Sequence, residues 1–285
     1  MSKYTYDLNY FKKIDSQEKA YWLGFLYADG SINTFYDDKK LRSMTLELGL
    51  SIKDKEHLVK FKESLKSDIP IFNKINKLKG KEYSSVRIQL NSTEICNDLC
   101  DLGCVPRKTY ILRLPSENIV PKIYMRDFLR GFFDGDGCLH TSIMGNKPHI
   151  VTNITGTSDM LQDISDFLLN NKIIRTRPSI SKDKRRENTY RFYIYGTDTN
   201  KEFLDYLYKD SKIYLDRKYQ HYKDFYKGYN DKLGKRGVYF NKRTNRYIAS
   251  ITINNKRKFR SFKTIEEAIE QRKKYELEKL NLIAH

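Results

Sequence analysis

The 285-residue chain is short of cysteine, of acidic residues and of long apolar runs, and each shortage excludes something. Four cysteines in a chain of this length do not make a disulfide framework. Cys96, Cys100 and Cys104 recur at four-residue spacing with Ile95 and Leu99, and no histidine is near them in sequence. That spacing is one helix face rather than a zinc site, so they read as small hydrophobes in a reducing, intracellular (cytoplasmic) protein. No apolar run reaches membrane-spanning length and no signal-peptide core follows Met1, which removes the membrane as a partner. Lys and Arg number 54 against 36 acids, a net charge of +18. An excess of that size calls for a polyanion, most simply nucleic acid.

What is present is organised as a repeat. The stretch Trp22-Leu23-Gly24-Phe25-Leu26-Tyr27-Ala28-Asp29-Gly30 returns as Leu129-Arg130-Gly131-Phe132-Phe133-Asp134-Gly135-Asp136-Gly137. Each copy carries a small residue, another four positions on, then an acid, then a glycine. On a helix, positions i and i+4 share a face. Gly24/Ala28 and Gly131/Gly135 therefore predict two bare stripes that let two helix backbones approach closely, as small-xxx-small pairs do in membranes. The Asp-Gly that follows predicts a helix stop, with the glycine in a left-handed turn. Asp29 and Asp136 then end two tightly crossed helices. Like charges at short range repel, and the negative ends of two helix dipoles add to the repulsion. Such a pair persists if it shares a proton or binds a cation. All-oxygen ligands suit Mg²⁺ or Ca²⁺ rather than zinc, and a divalent cation between carboxylates is suited to phosphodiester hydrolysis.

Comparable elements follow each nonamer. In the first copy Met44–Ser51 alternates like a strand, about 53–65 reads as a helix, Val86–Leu90 as a strand, and Ser92 opens a helix with Glu94 in its first turn. In the second, Ile150–Thr155 is strand-like, Ser158–Leu169 helical, Arg191–Tyr195 strand-like and about 199–208 helical. Each copy closes on an Arg-Lys pair, Arg107-Lys108 and Arg217-Lys218. The two acids are 107 residues apart and the two lysines 110, as duplicated halves related by a pseudo-twofold axis require.

The paired nonamers and their approaches, Lys19 to Ile32 and Met125 to Gly137, resemble the LAGLIDADG homing endonucleases of the two-motif, single-chain type. The resemblance implies an α+β fold: each half contributes a central helix to the interface and a curved antiparallel sheet to the DNA, whose outward strand residues read the major groove. It implies halves at 1–118 and 119–231, acting as a monomer. It implies Asp29 and Asp136 as the catalytic metal ligands, with Mg²⁺ as the cofactor. It also offers Lys108 and Lys218 as basic residues that stabilise the developing anion; the alternative is that they only contact phosphate. Where the first copy has Tyr27 the second has Asp134, a position from which a local cap or pair is expected rather than catalysis.

Residues 232–285 form a third module. They hold 15 Lys/Arg and 5 acids, a net +10 out of the chain's +18. Beyond the Gly234–Gly237 boundary, Val238-Tyr239-Phe240, Arg246–Ile253 and Lys256–Phe262 predict three strands, with a turn at Asn254-Asn255 and a helix capped by Thr264. Gly237-Val238-Tyr239, Tyr247-Ile248-Ala249, Phe259-Arg260-Ser261-Phe262 and Thr264-Ile265-Glu266-Glu267-Ala268 resemble an AP2-type DNA-binding domain. That family lays its sheet in the major groove, so Tyr239, Arg246, Thr252, Lys256 and Lys258 are expected to face DNA. The tryptophans and several arginines of the family are replaced here, so base preference does not carry over. A basic mini-domain without sequence preference is the alternative, and either would add affinity by tethering.

The sequence therefore reads as a site-specific double-strand DNA endonuclease, free-standing or intron-encoded, needing no protein partner. The ends of the chain, Met1-Ser2 and Ile283-Ala284-His285, lack the His-Asn and nucleophile of a protein-splicing element. Two rivals remain: an RNA-splicing maturase on the same scaffold, and a DNA-binding regulator that does not cut.

Overall fold

A computed structural model describes residues 3–78, 80–144, 147–174, 176–184, 186–230, 237–253 and 256–281. The chain divides into two compact units, Met1–Tyr222 and Lys223–His285. The first repeats one order of elements. Its opening half is α1 (Gln17–Asp29), β1 (Gly30–Asp37), β2 (Lys40–Ser51), α2 (Lys55–Ser64), β3 (Phe72–Leu78), β4 (Lys81–Asn91) and α3 (Thr93–Asp101). Its second half is α4 (Met125–Asp136), β5 (Gly137–Met144), β6 (Lys147–Gly156), α5 (Ser158–Asn170), β7 (Ser179–Lys182), β8 (Tyr190–Ile194) and α6 (Thr197–Tyr208). Each half forms one antiparallel sheet of the same order, β1-β2-β4-β3 and β5-β6-β8-β7. A further helix, α7 (Asp216–Asn230), runs across the division between the units.

The nonamers lie on α1 and α4. Ser16 caps α1 by accepting a hydrogen bond from the Lys19 amide, and eight consecutive residues from Ala20 to Tyr27 are buried. A helix buried on every side shows no polar face, so α1 has no amphipathic stripe to read. Trp22 Nε1 donates to Ser64 Oγ at 2.8 Å, tying α1 to α2.

In the sheets, inward and outward residues alternate as the pleat demands. Met44, Leu46, Leu48 and Leu50 of β2 face the core with Val86, Ile88 and Leu90 of β4, while Glu47, Arg87 and Gln89 lie on the other face. Ile150, Ile154, Phe192 and Ile194 do the same in the second sheet.

The sequence reading omitted β1, β3, β5, β7 and α7. Gly30–Asp37 and Ser179–Lys182 carry few apolar residues and stay mostly exposed; such strands are held by ladder hydrogen bonds to a better-buried neighbour rather than by their own burial. The helix expected over about 53–65 opens as a short 3₁₀ turn, Ile52–Asp54, before α2.

The second unit holds β9 (Val238–Asn241), β10 (Arg246–Ile253), β11 (Lys256–Phe262) and α8 (Ile265–Asn281), in a sheet ordered β11-β10-β9. Thr264 and Glu267 exchange hydrogen bonds at the start of α8: the Glu267 amide donates to the Thr264 hydroxyl oxygen and the Thr264 amide donates to the Glu267 carboxylate, each at 3.3 Å. Gly237 sits at φ +78, and its carbonyl accepts from the Ser250 amide at 2.8 Å. The Asn254-Asn255 turn and the boundary at Gly234 lie outside the described residues. Among the described residues no helix is long and apolar enough to cross a membrane.

Candidate active site

The two nonamer helices pack backbone to backbone. A Cβ on Gly24 would overlap the carbonyl oxygen of Phe128, and one on Gly131 would overlap that of Tyr21. Tyr21 stands three residues before Gly24, and Phe128 three before Gly131, so the two overlaps are the same contact made reciprocally across a pseudo-twofold axis. One turn on, a Cβ on Gly135 would overlap Cβ of Ala28 and lie 3.2 Å from Oδ2 of Asp29. Bare stripes at Gly24/Ala28 and Gly131/Gly135 thus bring the last residues of the helices, Asp29 and Asp136, to one end of one interface.

The glycines that follow correct an expectation. Gly30 has φ −73 and Gly137 φ −84, both extended rather than left-handed. They open β1 and β5 directly. Glycine is needed there for room: a Cβ on Gly30 would press on the Leu26 carbonyl at 2.7 Å, and one on Gly137 would meet the Phe133 ring.

Asp136 is half-buried, and its carboxyl is pushed up to about 7, first by burial and then by the charge of Asp29, against the pull of Lys108 and Lys218. Asp29 is raised as well, by burial, with Lys218 and Lys108 opposing. Water reaches Asp29 more freely than Asp136, so the penalty weighs more on Asp136. The Asp136 carboxyl therefore titrates close to neutral pH.

Both lysines are buried at the ends of these helices, Lys108 8% and Lys218 3% exposed. Lys108 donates to the Gly30 carbonyl. Lys218 donates to the carbonyls of Phe133 (2.6 Å), Asp134 (2.7 Å) and Gly137. An ammonium has three donors, so those of Lys218 are all engaged by backbone. It satisfies carbonyls that a helix end leaves open and offsets the dipole there. Burial brings Lys218 down to about 8, opposed by Asp134, Asp29 and Asp136. The local frames differ: Arg107 precedes the 3₁₀ turn Lys108–Tyr110 at φ +57, whereas Arg217 and Lys218 lie in the first turn of α7.

Asp134 is buried at 1% exposure and holds the halves together. It accepts from Tyr21 of α1 (2.8 Å), Tyr208 of α6 (2.5 Å) and the Leu215 amide (2.7 Å). Tyr21 uses its one proton on Asp134, so its 2.9 Å contact to His57 is donated by Nε2–H of the imidazole. That leaves Nδ1 of His57 as the deprotonated nitrogen, buried without a partner among the described residues. Its counterpart Tyr27 donates instead to the Leu102 carbonyl at 2.5 Å. Sequence reasoning expected a local role for Asp134 and missed this network, whose partners lie 74 to 113 residues away.

A cleft of about 470 Å³ adjoins Asp29, lined also by Glu47, Asp54, Arg87, Gly135 and Arg217. A smaller one of about 120 Å³ adjoins Asp136, lined also by Ala28, Lys108, Thr155, Arg186 and Asn188. Among the described residues no group of three or more His, Cys, Asp or Glu is placed to hold a metal alone. Two hard carboxylates with room beside them still fit Mg²⁺, which takes one or two carboxylates and completes its shell from phosphate and water.

In the second unit the five residues expected to face DNA do not share a face. Tyr239 pairs with Ile248 and Thr252 with Arg257, which puts Tyr239, Arg246, Thr252, Arg257 and Phe259 together. Arg257 donates to the Tyr239 hydroxyl at 3.1 Å, and Phe259 is 67% exposed. Lys256 and Lys258 pair with Ile253 and Ile251 on the opposite face. Lys258 there forms an ion pair with Glu278 of α8. The period-two alternation of β11 separates them: even positions point to the helix and odd ones away.

The segment from the start of α4 to the end of α6 is also recognisable by comparison. Residues 124–208 match the LAGLIDADG-like domain. The LAGLIDADG-like segment is the second repeat, and the first repeat has the same order of elements outside it. No curated protein matches the chain. The solved structures it is similar to include the LAGLIDADG meganuclease I-AabMI bound to uncleaved DNA, at 14% identity over 75% of this chain and 91% of that one, with a TM-score of 0.48. They also include the LAGLIDADG homing endonuclease I-GzeII in complex with its DNA target, at 12% over 75% and 92%, TM-score 0.48. A third is I-SmaMI bound to cleaved DNA, at 16% over 76% and 90%, TM-score 0.48.

Proposed function

We propose that the chain is a site-specific endonuclease that cuts both strands of duplex DNA, using Mg²⁺ held by Asp29 and Asp136. The observation that carries this reading is the pairing of two mutually repelling carboxylates at the ends of two helices whose backbones touch. A fold has no use for that repulsion unless a cation or proton relieves it. Bound there, the cation would supply Lewis acidity to a phosphodiester. The chain's own residues do the rest. Lys108 and Lys218 hold positive charge against the helix ends, which keeps both carboxylates ionisable. Asp134, Tyr21 and Tyr208 lock α1 against α4 and α6, so the two acids stay in register. The outward face of the first sheet, carrying Arg87 and Gln89, is suited to base edges and phosphates. The AP2-like assignment of the second unit belongs to the same proposal: the face bearing Tyr239, Arg246, Thr252, Arg257 and Phe259 would add duplex affinity.

The test uses a duplex site recovered by the wild type from a randomised DNA library. Cleavage of both strands should require Mg²⁺, stop in EDTA, and be lost in Asp29→Asn and Asp136→Asn. Mg²⁺ should also raise the melting temperature of the wild type and not of either variant, since only binding to the folded state stabilises it. Duplex binding without cleavage would leave the regulator, and preference for structured RNA the maturase.

A further inference from the structure

Each acid faces its own cleft, and arginines line both: Arg87 and Arg217 beside Asp29, Arg186 beside Asp136. Arg217 and Arg186 are not repeat partners. Arg217 stands in the first turn of α7, whereas Arg186 stands between β7 and β8. The repeat counterpart of Arg217 is Arg107, which lines neither cleft and sits in a left-handed backbone conformation. Two unrelated positions therefore deliver the same chemical group to the two sides of the acid pair.

Arg217 is built into its place. Its Nε donates to both carboxylate oxygens of Asp54, at 3.0 and 3.1 Å, and the Asp54 side chain is only 10% exposed. The Arg217 side chain is 56% exposed and lines the cleft, with its Nε fixed on Asp54. Asp54 belongs to the first half and Arg217 to the second, so the pair reaches across the halves to the first half's acid. Arg186 is exposed at the rim of the other cleft, where its charge acts on Asp136. Lys218 has no donor left for a ligand. A planar guanidinium with free N–H groups is the better partner for two phosphate oxygens.

Building on the endonuclease reading, we propose that Arg217 and Arg186 each contact the phosphate of one DNA strand, Arg217 at the cut beside Asp29 and Arg186 at the cut beside Asp136. Each arginine then stabilises negative charge as it develops on its own phosphodiester. Asp54 is a positioning residue that acts through Arg217. The two half-reactions depend on different arginines although the acids are related by the repeat.

The experiment follows each strand of a doubly end-labelled duplex site, recovered as above, in single-turnover cleavage with Mg²⁺. Arg217→Gln should slow one strand by about tenfold or more and leave nicked duplex. Arg186→Gln should slow the other strand and nick with opposite polarity. Asp54→Asn should slow the Arg217 strand by a smaller factor, and Arg217→Lys should restore part of the rate. Urea midpoints equal to wild type show that these surface changes leave the fold intact; should Arg217→Gln fail to fold, Arg217→Lys and Arg186→Gln give the same strand comparison. Equal slowing of both strands by either variant, the same strand slowed by both, or no slowing at all overturns the inference. A wild type that cuts no duplex overturns the underlying reading instead, and this one with it.

Discussion

His57 is an uncharged imidazole enclosed by aromatic rings and cations. Trp22 and Phe25 pack against it with ring centroids 4.9 and 4.7 Å away, and its Nε2–H donates to the Tyr21 hydroxyl. Burial holds it down to about 3 from its ordinary 6.5, with Lys60, Lys218 and Arg217 adding repulsion. The sign follows from linkage. Below 6.5 the unfolded chain takes up a proton that the folded chain refuses, so stability falls as the pH drops towards 3 and is complete above 6.5. Asp136 works in the opposite sense. Its raised carboxyl is protonated in the fold before it is in the unfolded chain, so without metal it adds stability as the pH falls from about 7 towards 3.8. Urea titrations across this range, without metal, should show a shallower acid decline for His57→Gln than for the wild type. An unchanged slope would mean that His57 is not the group being protonated.

At the scale of elements the α1–α4 crossing dominates. Its contacts are backbone on backbone, so it has no flexible side chain to give way when bulk is added. Gly131→Ala puts a methyl group into the Tyr21 carbonyl and should cost about 2–3 kcal/mol or more, read as a lower urea midpoint. Gly49→Ala is the control. A Cβ there meets nothing closer than 3.8 Å, so its cost should be small. Similar losses at both positions would show that the crossing is not the tight contact described. The same crossing explains what sequence could anticipate about it. Small residues at i and i+4 before an acid specify both the helix face and its closeness. The left-handed caps were misjudged because Asp-Gly signals a stop without saying which backbone leaves it. Here each helix runs straight into a strand, and glycine serves to clear Leu26 and Phe133.

For the whole molecule, charge is the long-range variable. With +18 overall and more than half of it after residue 231, duplex binding should weaken steeply with salt. A plot of log affinity against log salt concentration should be linear, with a slope of about −0.9 for each phosphate neutralised, and of several units in total. Fluorescence anisotropy from low to high KCl reads this directly. A slope near zero would mean that the positive charge is not used on phosphate, and the DNA reading would lose its electrostatic support.

Some of this protein is legible along the chain because it rests on local rules. The nonamer helices, the buried strands β2, β4, β6 and β8, the Thr264 cap and the paired acids all follow from short-range spacing, and so does the duplication. The edge strands were not legible, because pairing rather than burial makes them. Nor were the partners of Asp134, the anchoring of Arg217 by Asp54, or the engagement of all three Lys218 donors. Each depends on residues about 75 to 165 positions apart meeting at one point. The face of β11 was misread for a related reason. A one-residue step in a strand reverses a side chain, and only the register with β10 decides that Arg257 and Phe259 stand beside Tyr239 while Lys258 turns to Glu278.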